Sequence, residues 1–83
     1  MVEWIKRSDI AIMVADGTLN LKPAQVRLTC KIMDEESGKR CAQTVEKMAA
    51  MLNHTHICYR SAQEQNGETI VWYDLYKRSA HNQ

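Results

Sequence analysis

The spacing of apolar positions changes several times along the chain. In "VRLTCKIM", Val26, Leu28, Cys30 and Ile32 alternate with Arg27, Thr29 and Lys31. Period-two alternation rich in β-branched residues predicts a half-buried strand. Pro23 before "AQVRL" pulls the other way, because proline suits the first position of a helix. In "TVEKMAAMLN", Val45, Met48, Ala49 and Leu52 recur at i, i+3, i+4 and i+7. That stripe predicts an amphipathic helix over residues 44–53, capped by Thr44 and ended at Asn53 in a left-handed turn. In "DIAIMVA", Ile10, Ile12 and Val14 alternate with Ala11 and Met13, which suggests a strand. A short helix capped by Ser8 and stopped by Gly17 is the other reading. "DEESGKR", residues 34–40, reads as a tight turn, since three acids would oppose the negative end of a helix dipole. It would lead into a short strand near residues 39–42. "ETIVWYDLY" carries apolar side chains on both faces, as a central strand does. The first eight residues form a lead-in whose Trp4 covers one end of the core, and the last seven are a polar tail.

Between the helix and that last strand, "HTHICYRSAQEQNG" supports two readings. In the first it is a strand that turns at Asn66-Gly67, the pair favoured in two-residue type I′ hairpins. Counting back from the turn pairs Gln65 with Glu68, Ala62 with Val71, Arg60 with Tyr73 and Cys58 with Leu75. Ile57, Tyr59, Trp72 and Tyr76 then share the opposite face. In the second reading, "MAAMLNHTHICYRSAQ" resembles a helix-turn-helix. Ala49 sits at the helix crossing, Leu52 in the core and Asn53 in the turn, while Tyr59 and Ala62 anchor the second helix. That resemblance implies Arg60, Ser61 and Gln63 as candidates for the major groove, with "ETIVWYDLY" as a reduced wing.

The chain has 83 residues, 45% apolar and 25% charged, which suits one folded domain with a small core. No apolar run approaches ~18 residues, so no membrane span or membrane partner is expected. The N-terminus mixes acids with bases and no small-residue cleavage site follows, so a signal peptide is not expected. The net charge of +1 gives weak electrostatic support for nucleic acid. Three cysteines, Cys30, Cys41 and Cys58, are an odd number, and without a secretory signal they suggest reduced, buried thiols in a cytoplasmic protein.

Candidate chemistry is sparse. His54, His56 and Cys58 alternate and would point one way from a strand, but zinc-type spacings are lacking, so no metal is expected. Cys58 with a histidine has no orienting acid, and three isolated glycines make no phosphate loop, so no catalytic residue or cofactor is expected. Four of the five aromatics, Tyr59, Trp72, Tyr73 and Tyr76, fall within eighteen residues. Aromatics and arginines dominate protein interfaces and stack on single-stranded bases.

The expected fold is a small α+β domain with an antiparallel sheet of four or five strands and one main helix, residues 44–53. A winged helix-turn-helix is the alternative. The expected function is that of a small cytoplasmic regulator acting by binding and not by catalysis. Its partner would be nucleic acid, DNA first, or else a protein docked on an aromatic sheet face or edge strand; a homodimer is also a candidate. The residues expected to make contact are Arg60, Gln63, Arg27, Lys31, Tyr59, Trp72 and Tyr73.

Overall fold

The chain begins with a strand that its pattern does not announce. The structure, a computed structural model, describes residues 2–20 and 22–79. Its elements run β1 (Glu3–Ile5), α1 (Arg7–Ala15), β2 (Ala24–Cys30), α2 (Glu35–Met51), β3 (His56–Gln65) and β4 (Glu68–Tyr76). The α+β expectation holds, but the sheet is mixed rather than antiparallel and two helices accompany it. Its four strands lie in the order β1-β3-β4-β2, with β1 parallel to β3 and β4 antiparallel to both its neighbours. "ETIVWYDLY" is therefore a central strand, as its two apolar faces suggested.

Two segments differ from the first expectation and are helical: the run from Asp9, where the strand gives way to the alternative helix stopped at Gly17, and residues 34–40, expected as a tight turn. "RSDIAIMVA" forms α1. In an all-apolar run, alternation and helical spacing coincide, and here Ile10, Met13 and Val14, at i, i+3 and i+4, pack against Leu19, Cys58 and Tyr76. Ile12 is left on the solvent side. The helix stops where Gly17 takes φ 84°, while the Asp16 carboxylate accepts from the Thr18 amide at 2.9 Å. The Thr18 hydroxyl first, and that amide hydrogen bond second, lower the Asp16 pKa.

The acids of "DEESGKR" begin α2 and do not end a helix. Asp34 accepts from the Ser37 amide at 2.8 Å, and the Ser37 hydroxyl accepts from the Asp34 amide at 3.1 Å. This is a capping box, with Glu35 and Glu36 in the first turn, where the dipole favours them. The main helix thus starts nine residues before the expected Thr44. Its buried stripe is Cys41, Val45 and Ala49, and Leu52 lies outside it, half exposed.

The core forms two layers on opposite faces of the sheet. Under α2 lie Val26, Ile57, Val71, Tyr73 and Leu75 together with that stripe. Under α1 lie Cys58 and Tyr76 with Leu19. After β4 the chain returns beside residues 18–20: Leu19 bridges to Arg78, and the Ser79 amide donates to the Thr18 carbonyl at 2.8 Å.

The disputed residues are strand, so there is no helix-turn-helix. Asn66 and Gly67 take φ 53° and 78°, both positive, as a type I′ turn requires. Gln65 pairs with Glu68 and Ala62 with Val71, as counted from the turn. A bulge at Arg60 then shifts the register, so Tyr59 pairs with Tyr73 and Cys58 with Asp74. The extra residue reverses the expected faces below it. Ile57 and Tyr59 lie on the α2 side with Tyr73 and Leu75, whereas Trp72 and Tyr76 lie on the other.

Candidate functional site

β1 covers only the start of β3. It pairs with His56, Ile57 and Cys58, and then the chain leaves the sheet at Lys6 to enter α1. β3 continues to Gln65, and its last seven residues are all exposed. Among the described residues no strand pairs with the outer edge of Tyr59–Gln65. That edge therefore presents unsatisfied backbone donors and acceptors beside the place where β1 ends.

Aromatic rings border this edge on the α2 side. Tyr73 is buried and forms the floor. Trp4 meets it edge-on at 5.7 Å between centroids, and Tyr59 does so at 6.3 Å. Both upper rings face solvent, Trp4 at 41% exposure and Tyr59 at 54%. The Trp4 indole Nε1–H donates to Glu46 Oε2 of α2 at 2.7 Å, which fixes the ring against the helix. Burial, reinforced by Cys41, pushes the Tyr73 phenol well above its ordinary pKa. It stays protonated, 3.8 Å from Cys41 Sγ.

The opposite face is mixed. The Arg27 guanidinium lies 5.9 Å over the Trp72 ring, and Arg60 Nη1 donates to Asp74 Oδ2 at 3.2 Å. The bulge aims Arg60 at this buried carboxylate. Arg60 is thus committed to an ion pair within the sheet and does not project as a base-reading side chain. Gln63 is exposed near the hairpin tip, opposite Ile70. Lys31 stands apart, beyond the end of β2, in a cleft with Cys30, Ser37, Arg40, Cys41 and Thr44. Of the seven expected contact residues, the structure brings Tyr59 and Tyr73 together on one face. Arg27, Trp72, Arg60 and Gln63 gather on the other, and Lys31 joins neither group.

The histidines are not arranged as ligands. His56 is buried, with Nδ1 at 2.7 Å from Thr55 Oγ1 and Nε2 at 3.5 Å from Glu3 Oε2. Burial lowers its pKa, opposed by Glu3 and aided by Arg78. His54 precedes the strand and borders an open cleft of about 740 Å³ with Glu46, Lys47 and Asn53. Its Nδ1 is buried without a hydrogen-bond partner, and burial with Lys77 nearby lowers its pKa. Among the described residues no three His, Cys, Asp or Glu side chains gather as a metal site, and no helix is long and apolar enough to cross a membrane.

Trp4 and Glu46 are the site residues that the sequence pattern misses. A tryptophan in a three-residue strand has no periodicity to assign it, and its partner lies 42 positions away.

No protein-family model matches the chain, and no curated protein matches it. Two solved structures share the fold. The C-terminal domain of ydgH from S. enterica, a protein described as periplasmic, superposes with TM-score 0.65 at 19% identity, covering 93% of this chain and 100% of that one. The secreted protein STM0082 of Salmonella typhimurium LT2, solved by solution NMR, superposes with TM-score 0.63 at 11% identity, covering 100% of this chain and 79% of that one. At these identities the likeness shows a common fold. It also corrects the expectation of a cytoplasmic, DNA-binding regulator. The fold is one that a periplasmic and a secreted protein use, and the two-helix motif that suggested DNA is absent.

Proposed function

We propose that the chain is an extracytoplasmic, non-catalytic binding domain that takes up an extended segment of a partner protein by adding it as a strand along the free edge of β3. The observation that carries this reading is the unpaired edge of Tyr59–Gln65 beside two exposed rings, Trp4 and Tyr59. In strand addition, main-chain hydrogen bonds supply affinity, and alternate side chains of the incoming strand select pockets. Here every second side chain of the guest would rest on the Trp4–Tyr59–Tyr73 surface, and those between would face the polar side near Arg60. β2 offers the other outer edge, but Lys22, Pro23 and Lys31 flank it, and lysine and proline discourage strand pairing. The extracytoplasmic setting rests on the named locations of the two proteins that share the fold.

A display library of random octapeptides selected against the immobilised full chain tests the binding reading. Selected peptides should alternate apolar with polar residues, slow amide exchange at Ser61–Gln65 and lose at least about tenfold in affinity against Tyr59→Ala. Peptides that bind while leaving those amides and the Trp4 fluorescence unchanged would overturn it. Cell fractionation with an antibody to the chain tests the location, and recovery in the cytoplasmic fraction alone would refute that half.

A further inference from the structure

Cys30 is the last residue of β2 and Cys41 lies in the second turn of α2. Both side chains point into the layer between sheet and helix. Cys41 is 5% exposed, and Cys30 packs half-buried against the same cluster. Both line a single cleft, with Ser37, Arg40 and Thr44 at its rim. The capping box of Asp34 and Ser37 fixes where α2 begins, and hence where Cys41 faces the end of β2. The third thiol, Cys58, lies on the opposite face of the sheet under α1. The fold therefore sorts three cysteines into one facing pair and one isolated member.

We infer that Cys30 and Cys41 form a disulfide site, closed by an oxidant of the dialkyl-disulfide class, that staples α2 to the end of β2. In the first step one of the two thiolates attacks a sulfur of the oxidant. A mixed disulfide forms, and the oxidant's other half leaves as a thiol. The second cysteine then attacks the mixed disulfide at the protein sulfur. The Cys30–Cys41 bond forms, and the remaining half of the oxidant leaves as a second thiol. Two electrons and two protons pass to the oxidant. The ten residues Lys31–Arg40 become the closed loop.

The site's own environment governs how the bond is made. Burial first, and the neighbouring Cys41 second, push the Cys30 thiol up to about 11. In the folded chain at neutral pH the Cys30 thiolate is scarce, so attack by Cys30 is slow. Before α2 seats on the sheet the thiol is solvated and ordinary. The bond is therefore made during folding, and once made it has one buried sulfur, that of Cys41. This inference goes beyond the binding reading and does not depend on it, although compartments outside the cytoplasm are where such bonds persist.

The test refolds the full chain from denaturant in a mixture of oxidised and reduced glutathione, followed by non-reducing peptide mapping. The expected product is a Cys30–Cys41 linked peptide, with the intact chain lighter by about 2 Da. Its Tm should be higher than that of the reduced chain by about 10 °C. Cys30→Ser and Cys41→Ser should each abolish the linked peptide and the difference between oxidising and reducing conditions. Because Cys41 is buried and its serine variant could fold poorly, half-exposed Cys30→Ser provides the separate check. Cys58→Ser should leave the bond intact. The inference is overturned if Cys30 and Cys41 are recovered alkylated or singly glutathionylated, if either is found bridged to Cys58, or if the linked form melts below the reduced one.

Discussion

β3 consists of two unlike halves. Its first three residues, His56, Ile57 and Cys58, are buried, with β1 on one side, β4 on the other and a helix layer over each face. Its last seven are exposed, although all but the bulged Arg60 pair with β4 in the same hydrogen-bonded ladder. Backbone pairing alone therefore does not bury a strand; its neighbours and the helices above do. The base half holds the fold together, and the tip half, with an open edge and little packed on it, is available to a partner. Its exposed side chains also put the tip among the regions that open most easily.

The contrast predicts unequal responses to mutation, and the largest lies at the base. Ile57 is fully buried in the layer under α2. Ile57→Ala removes buried carbon and leaves a cavity, so urea unfolding should show a loss of about 3 kcal/mol. A loss near zero would mean the base is not the anchor. Next comes the boundary between the halves. Arg60→Ala leaves the buried Asp74 carboxylate without its cation. Because the Arg60 side chain is itself 42% exposed, water reaches the vacated place, and the cost should be about 1–3 kcal/mol, below that of a fully buried pair. Asp74→Asn in the Arg60→Ala background should recover most of the loss. If it does not, the pair is incidental.

The third response is to acid. His56 and His54 both have folded pKa values below the ordinary 6.5, chiefly from burial. The unfolded chain then binds protons that the folded chain resists. This contribution is complete above about pH 6.5 and is lost as pH falls below it toward the folded values. A Tm series from pH 7 downward should decline through this window. His56→Asn should flatten the decline, since His56 belongs to the base; an unchanged slope would remove His56 as a cause. The depressed carboxylates of Asp16 and Asp34 add a further loss only at lower pH. The smallest effect belongs to the tip. Gln63→Ala should change stability by no more than ~0.5 kcal/mol, and a larger loss would show that the tip carries fold energy.

The same division explains what the sequence made legible. The tip of the hairpin was readable because Asn66-Gly67 is a local signal with one strong backbone solution. The central character of β4 was readable from its two apolar faces. The bulge at Arg60 was not, because no residue type marks it; it reflects a buried Asp74 that a distant arginine must reach. β1 was hidden because three residues are too few to show a period. α1 is ambiguous in the sequence because Ile10, Met13 and Val14 fit a helix while Ile10, Ile12 and Val14 fit a strand, and only the packing against Tyr76 decides. The start of α2 is hidden because the same acids that would oppose a helix C-terminus favour the N-terminus they occupy. Of the site, Tyr59 and Tyr73 were legible as aromatics on strands, but the bulge set which face they share. The Trp4–Glu46 hydrogen bond required the tertiary fold.

The parallel pairing of β1 with β3 has a consequence for assembly in time. The β3–β4 hairpin closes through a two-residue turn, a local event on the microsecond scale. Docking β1 must close a loop of about fifty residues, from Glu3 to His56, for three residues of pairing. The hairpin is therefore expected to stand first with its whole outer edge bare, and β1 to arrive last. A strand that is short and late is held by the fewest ladder hydrogen bonds, so it is the element most readily displaced from the sheet.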